Sequence, residues 1–219
     1  MRPFLLLISL CSFAWGQESI VCLHGFMRTQ ASFRPLVTYL ETLGQEITLF
    51  GYKSRNKTIE EHAENLLFLL QVKARQSPQE PIHFVAHSLG GLILRVALNH
   101  PDCPKEAQIG TAILLAPPNG GSRLARHLSH IPLCRLVFGS HSGHQLMSFT
   151  REEIENLGRF PPSLKLICIT GSRDWKVRAD EARLSEPHEH FVVPSGHAFI
   201  MQKAEVFFLI EKYLVRKEE

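Results

Sequence analysis

The order of its apolar segments constrains this chain more than any other feature. Six short runs, "SIVCL" (19–23), "EITLF" (46–50), "PIHFVA" (81–86), "IGTAILLA" (109–116), "LKLICIT" (164–170) and "HFVV" (190–193), alternate with stretches of helical character. Runs this short and continuous read as strands buried on both faces. Helix signals lie between them. Ser32 is placed to cap a helix bearing Phe33, Leu36, Val37 and Leu40, with Gly44 at its end. Thr58 and Glu61 form a capping box for a helix on which Ile59, Ala63, Leu66, Leu67 and Leu70 recur. Ile200, Ala204, Phe207, Phe208 and Leu214 mark a C-terminal helix. Parallel strands need long crossovers, and helices are the usual ones. The alternation therefore predicts an α/β fold, with a mainly parallel sheet of about six strands flanked by helices. Functional groups in such sheets gather at the carboxyl ends of the strands.

The two ends of the chain differ in kind. "MRPFLLLISLCSFAWGQ" carries one charge at Arg2, an apolar stretch from Phe4 to Trp15, and a small-x-small pattern at Ala14 and Gly16. It is too short to span a bilayer and resembles a signal peptide cut after residue 16, which implies export to a periplasm or the exterior. The plainer alternative is a buried first strand or helix. Residues 17–219 then make one domain, long enough for a sizeable core. Its net charge of +3 is spread along the chain and leaves no footprint for nucleic acid or an anionic membrane surface. Cys22 and Cys168 fall in strand-like runs as buried fillers, whereas Cys103 and Cys134 lie in loops where an oxidising compartment would let them pair.

Residues 117–163 break the rhythm. This stretch is rich in Gly, Pro, His and Ser, with a capped helix expected from Thr150, and it is too long for a simple connection. It reads as a lid or cap insertion over a site. Its two H-x-x-H pairs, "HLSH" (127–130) and "HSGH" (141–144), match no strong zinc spacing and read better as a polar, solvent-facing surface.

The chemistry points to "AHSLGG" (86–91), which follows the third strand and opens the helix "GLILRVAL". A serine in a sharp strand-to-helix turn needs small neighbours two positions away on each side, here Ala86 and Gly90. The alternative is that Ser88 only caps the helix. As a nucleophile, Ser88 requires a base, and of twelve histidines His197 in "VVPSGHAFI" is best placed, just past the last strand. Asp174 in "CITGSRDWKV" lies beyond the preceding strand and can hold the imidazole; Asp180 competes from the same loop, and Asp102 comes too early. The Leu89 N–H, at the start of the helix, and the Phe26 N–H in "CLHGFM" are candidate donors to an oxyanion. Phe26 and Met27 either line an acyl pocket or pack in the core, Met27 being the candidate substrate contact. His24 reads as structural. His87 is expected on the opposite side of the turn from the chemistry.

Taken together, "LHGF", "AHSLGG", "APPNGGS", "GSRDWKV" and "SGHAFI" resemble the α/β-hydrolase family, within it the small bacterial lipases and esterases. Alanine before the serine is similar to minimal Bacillus-type lipases, and the first strands of larger members are missing. The resemblance implies a minimal α/β-hydrolase fold and acyl transfer from an uncharged small-molecule or lipid ester to water. Ser88, Asp174 and His197 would be catalytic, Phe26 and Leu89 would form the oxyanion hole, and no metal or organic cofactor would be needed. An acyltransferase, a thioesterase or an amidase would use the same three residues. A silent binding protein is the reading outside enzymology.

Overall fold

The computed structural model describes residues 19–215. The expected signal peptide, residues 1–16 with Cys11, lies outside the described residues. Six strands, β1 (Ser19–Leu23), β2 (Glu46–Phe50), β3 (Ile82–His87), β4 (Thr111–Leu115), β5 (Lys165–Gly171) and β6 (Glu189–Val193), form one sheet in the order β2-β1-β3-β4-β5-β6. Every neighbouring pair is parallel. The period of two sorts the strand side chains between two cores. Val21, Leu23, Phe84, Ala86, Leu114 and Cys168 face one layer, and Ile20, Cys22, Val85, Ile113 and Ile169 face the other. Strands β2 and β6 depart from the expectation of burial on both faces. They are the sheet edges, so several of their side chains stay partly or fully exposed.

Helices α1 (Arg34–Thr42), α2 (Ile59–Gln76) and α3 (Leu89–Leu98) follow the first three strands. The capping box at Thr58 is present, with Thr58 Oγ1 accepting the Glu61 N–H at 3.2 Å and the Glu61 carboxylate accepting the Thr58 N–H at 2.7 Å. Ser32 does not cap α1. A 3-10 turn at Gln30–Phe33 precedes the helix, and the Ser32 hydroxyl instead donates to the Thr29 carbonyl. The final helix is shorter than its apolar pattern suggested, because His197–Gln202 winds as a 3-10 turn before it. Val206, Ile210 and Leu214 form its buried stripe, leaving Phe208 in solvent.

The 117–163 insertion folds into four short helices, α4 (Arg123–Leu128), α5 (Pro132–Phe138), α6 (Ser142–Ser148) and α7 (Arg151–Glu155). A fifth, α8 (Ala179–Ala182), lies between β5 and β6, and α9 (Ala204–Leu214) ends the described chain. The insertion is tied to the loop before α2. The Ser142 N–H donates to the Lys57 carbonyl at 3.1 Å, the Ile59 N–H to Gln145 Oε1 at 2.7 Å, and Arg55 to the Leu136 carbonyl at 3.1 Å. Cys103 and Cys134 both carry free thiols.

Arg95, on the elbow helix α3, is 2 % exposed. It donates to the Gly158 carbonyl at 2.7 Å, to Glu186 at 3.0 Å and to Asn119 at 3.3 Å, with Phe160 under its guanidinium. One cation thus joins the start and end of the insertion to α3. A stack of three rings supports the loop after β1: Tyr52 lies on His24 at 4.0 Å and on His62 at 4.7 Å, between ring centroids. Burial pushes the His62 imidazole down to about 4.

Arg95→Leu strands the Glu186 carboxylate and is expected to cost about 3–5 kcal/mol in denaturant unfolding, whereas Arg95→Leu with Glu186→Leu should recover most of that loss. Because His62 titrates lower folded than unfolded, the unfolded chain takes up its proton first below about pH 6.5. Stability should fall between there and about pH 4. His62→Phe should remove that part of the thermal-midpoint profile, and an identical profile in the variant would refute the assignment.

Candidate active site

Ser88 alone makes the turn between β3 and α3. It does so at φ +51°, ψ −118°, a conformation that costs a non-glycine residue roughly 1–3 kcal/mol. The surroundings hold it there. Its N–H donates to the Leu115 carbonyl at 2.9 Å, and its own carbonyl accepts the Gly91 N–H at 2.9 Å. Gly90 lets α3 approach β1: a Cβ there would sit 2.7 Å from the Leu23 carbonyl oxygen. Ala86 is fully buried, paired in register with Leu23 and Leu114.

The strand order reverses between β1 and β3, so their following segments diverge to opposite faces and open a crevice at the carboxyl edge. Ser88 occupies that crevice, and the loops after β5 and β6 bring two partners to it. His197 Nε2 lies 2.9 Å from Ser88 Oγ, and His197 Nδ1 lies 2.7 Å from Asp174 Oδ2. A carboxylate only accepts, so Nδ1 carries the ring proton and Nε2 accepts from the serine hydroxyl. The other Asp174 oxygen is occupied by the N–H groups of Lys176 at 2.9 Å and Val177 at 3.0 Å, which locks the carboxylate's orientation. Asp180 is not in this group. It is 64 % exposed and paired with Arg123 at 2.7 Å.

The loop after β1 abuts the elbow. A Cβ added to Gly25 would lie 3.2 Å from Ser88 Cβ, which places the Gly25–Phe26 peptide beside the nucleophilic position. Neither the Phe26 N–H nor the Leu89 N–H has an acceptor among the described residues. The adjacent Met27 N–H is engaged, donating to Ser54 Oγ at 2.9 Å. The arrangement can polarise a hydroxyl, accept its proton and offer two free donors to a developing negative charge.

His87 is closer to the chemistry than its position in sequence suggested. Its Nε2–H donates to the His197 carbonyl at 3.0 Å, and the two rings lie 5.0 Å apart. Full burial, joined by the nearby His197, pushes its imidazole well below the usual histidine range, which keeps it neutral. It therefore steadies the turn that carries His197 without adding charge to it.

A cavity of about 280 Å³ opens beside Ser88. That is near the small end of the range of roughly 300–1,000 Å³ for small-molecule sites. Phe26, Leu124, Leu128, Phe138 and Leu146 make most of its apolar wall, all but Phe26 supplied by the insertion. Phe26 stacks on Phe138 at 5.2 Å. Met27 is absent from this wall: with φ +53° its side chain turns outward and is 56 % exposed. Sequence reasoning missed Arg28 and Lys176, which also border the cavity. Their signal was adjacency, one residue beyond "HGFM" and two beyond Asp174.

No family model and no curated protein matches the chain. Solved structures do. The mature form of a Bacillus licheniformis lipase superimposes with a TM-score of 0.73 at 15 % identity, over 92 % of this chain and 93 % of that one. A phospholipase of Legionella pneumophila gives 0.72 at 17 % identity, over 92 % of this chain and 59 % of the longer one. An α/β hydrolase from the metagenome of lagoon sediments at Mar Chica, Morocco, gives 0.64 at 16 % identity, over 90 % of each chain. At these identities the likeness is one of backbone, and it agrees with the all-parallel sheet and the strand–turn–helix at Ser88. The chain has the α/β-hydrolase fold.

Proposed function

We propose that the protein is a serine hydrolase that cleaves carboxylic esters through an acyl-enzyme. The observation that carries this reading is the unbroken line from Asp174 to His197 to Ser88, with hydrogen bonds of 2.7 and 2.9 Å. The structural neighbours named as a lipase, a phospholipase and a hydrolase support it.

In the first half-reaction Ser88 Oγ attacks the ester carbonyl while His197 Nε2 takes its proton, and Asp174 stabilises the imidazolium. The carbonyl oxygen becomes an oxyanion facing the Phe26 and Leu89 N–H groups. Collapse breaks the bond to the alcohol, which leaves with the proton from His197, and the acyl group stays on Ser88. Water then enters, gives a proton to His197 and attacks the acyl carbon. Release of the carboxylic acid returns the proton to Ser88. The apolar cavity takes the acyl chain, and its 280 Å³ suits one chain of modest length.

Ser88→Ala is expected to lower turnover of short p-nitrophenyl esters by at least about 10⁴-fold and to abolish labelling by a fluorophosphonate probe. Persistent labelling would remove Ser88 from the nucleophile's role. Asp174→Asn should cost about 10⁴-fold in kcat, because it permits the wrong histidine tautomer, while Asp180→Asn should stay within a few-fold of the parent. The reverse ranking would exchange the two acids. Product analysis with added alcohol distinguishes hydrolysis from acyl transfer: accumulation of a new ester instead of free acid would make the protein a transferase.

A further inference from the structure

Two cations border the cavity, and neither has an anionic partner among the described residues. Arg28 and Lys176 are among its lining residues, together with Ser88 and His197, and no carboxylate side chain lines it. Asp174, nearby, is turned away into its bonds with His197 and two backbone N–H groups. Other cations such as Arg34, Lys53 and Lys203 also lack a carboxylate partner among the described residues, but they do not line this cavity, so what distinguishes Arg28 and Lys176 is their place beside Ser88. Among the described residues Arg28 and Lys176 meet only aromatic faces. The Arg28 guanidinium lies 5.9 Å from the Phe199 ring centroid and Lys176 Nζ 5.7 Å from that of Trp175. Arg28 is half-buried in this state.

A half-buried guanidinium without a counter-charge has lost hydration with no ionic return. Lys176 is exposed, and two unpaired cations lining a low-dielectric cleft focus a positive potential into it. The apolar side chains from the insertion take the acyl chain, which leaves the two cations to the other part of the ester, the alcohol. A phosphate on that alcohol would accept a paired contact from the planar guanidinium and a point contact from the ammonium.

We propose that the ester cleaved at Ser88 carries a phosphate on its alcohol portion, held between Arg28 and Lys176, and that the substrate class is acyl esters of phosphorylated alcohols. This rests on the hydrolase reading above and replaces the uncharged ester expected from sequence with an anionic one. Both a soluble, single-chain phosphate ester and a phospholipid in a bilayer present that group.

The test compares octanoyl glycerol with octanoyl glycerol 3-phosphate, both monomeric, on the full chain, and adds vesicles of phosphatidylglycerol and of phosphatidylcholine. The phosphorylated ester is expected to be favoured at least tenfold in kcat/KM at low ionic strength, chiefly through KM. That ratio should shrink as salt rises, since exposed charges are screened. Arg28→Gln with Lys176→Gln should bring the ratio to within about twofold of unity, and Arg28→Glu should invert it. Equal kcat/KM for the two monomeric esters in the parent overturns the inference while leaving the hydrolase reading intact. So does a preference that survives in the double variant. With the monomeric preference in place, hydrolysis of both kinds of vesicle assigns the phosphate to a bilayer phospholipid, and hydrolysis of neither assigns it to the soluble ester. Failure to hydrolyse any ester, with no probe labelling at Ser88, would be failure of the hydrolase reading instead.

Discussion

The backbone at Ser88 is the constraint on which the rest of the structure depends. A serine at φ +51° is held there by the Leu115 carbonyl on one side and the first turn of α3 on the other. Strain of this kind persists only where the surrounding packing over-determines it. Here that packing is the contact between Gly90 and β1, which admits no side chain. The consequence is spatial: the hydroxyl is lifted clear of strand and helix into the crevice where β1 and β3 part. There it meets an imidazole from a loop more than a hundred residues later in the chain.

Around that point the molecule keeps charge sparse and directed. The imidazoles of His24, His62 and His87 are buried and all titrate below the ordinary histidine range, chiefly through loss of hydration. As neutral groups they pack and support the loops, His24 and His87 also donating to backbone carbonyls, without competing for the proton that the proposed mechanism moves through His197. The fixed charges lining the cavity are cationic, and the insertion supplies most of its apolar wall. The hydrogen bonds between the 51–59 segment and α5 and α6, together with the Arg95 cluster, hold that wall in place.

Much of this was legible in the residues themselves. Periodicity located all six strands to within a few residues, and the Thr58–Glu61 capping box and the capped helix from Thr150 were readable because a cap is a local bond between near neighbours. The misreadings share a cause. Ser32 lost its cap to a 3-10 turn, β2 and β6 proved to be edges, and Phe208 faced outward, since each outcome depends on what another segment leaves covered. Met27 turned away from the cavity, and His87, expected across the turn in a structural role, keeps that role but lines the cavity, for the same reason. One residue's φ and one distant carbonyl decided which side chain approached the site.

By itself the sequence determined the alternation of strand and helix, the small residues around Ser88, and the histidine that meets it, with the acid narrowed to one loop. These are properties of short windows, where backbone geometry and side-chain size act directly. Tertiary structure alone decided that Asp174 and not Asp180 reaches His197, that the insertion supplies most of the cavity's apolar wall, and that Arg28 and Lys176 line it with no carboxylate partner among the described residues. Those outcomes come from packing and charge between segments far apart in the chain, and no local pattern encodes which segments the sheet order will bring together.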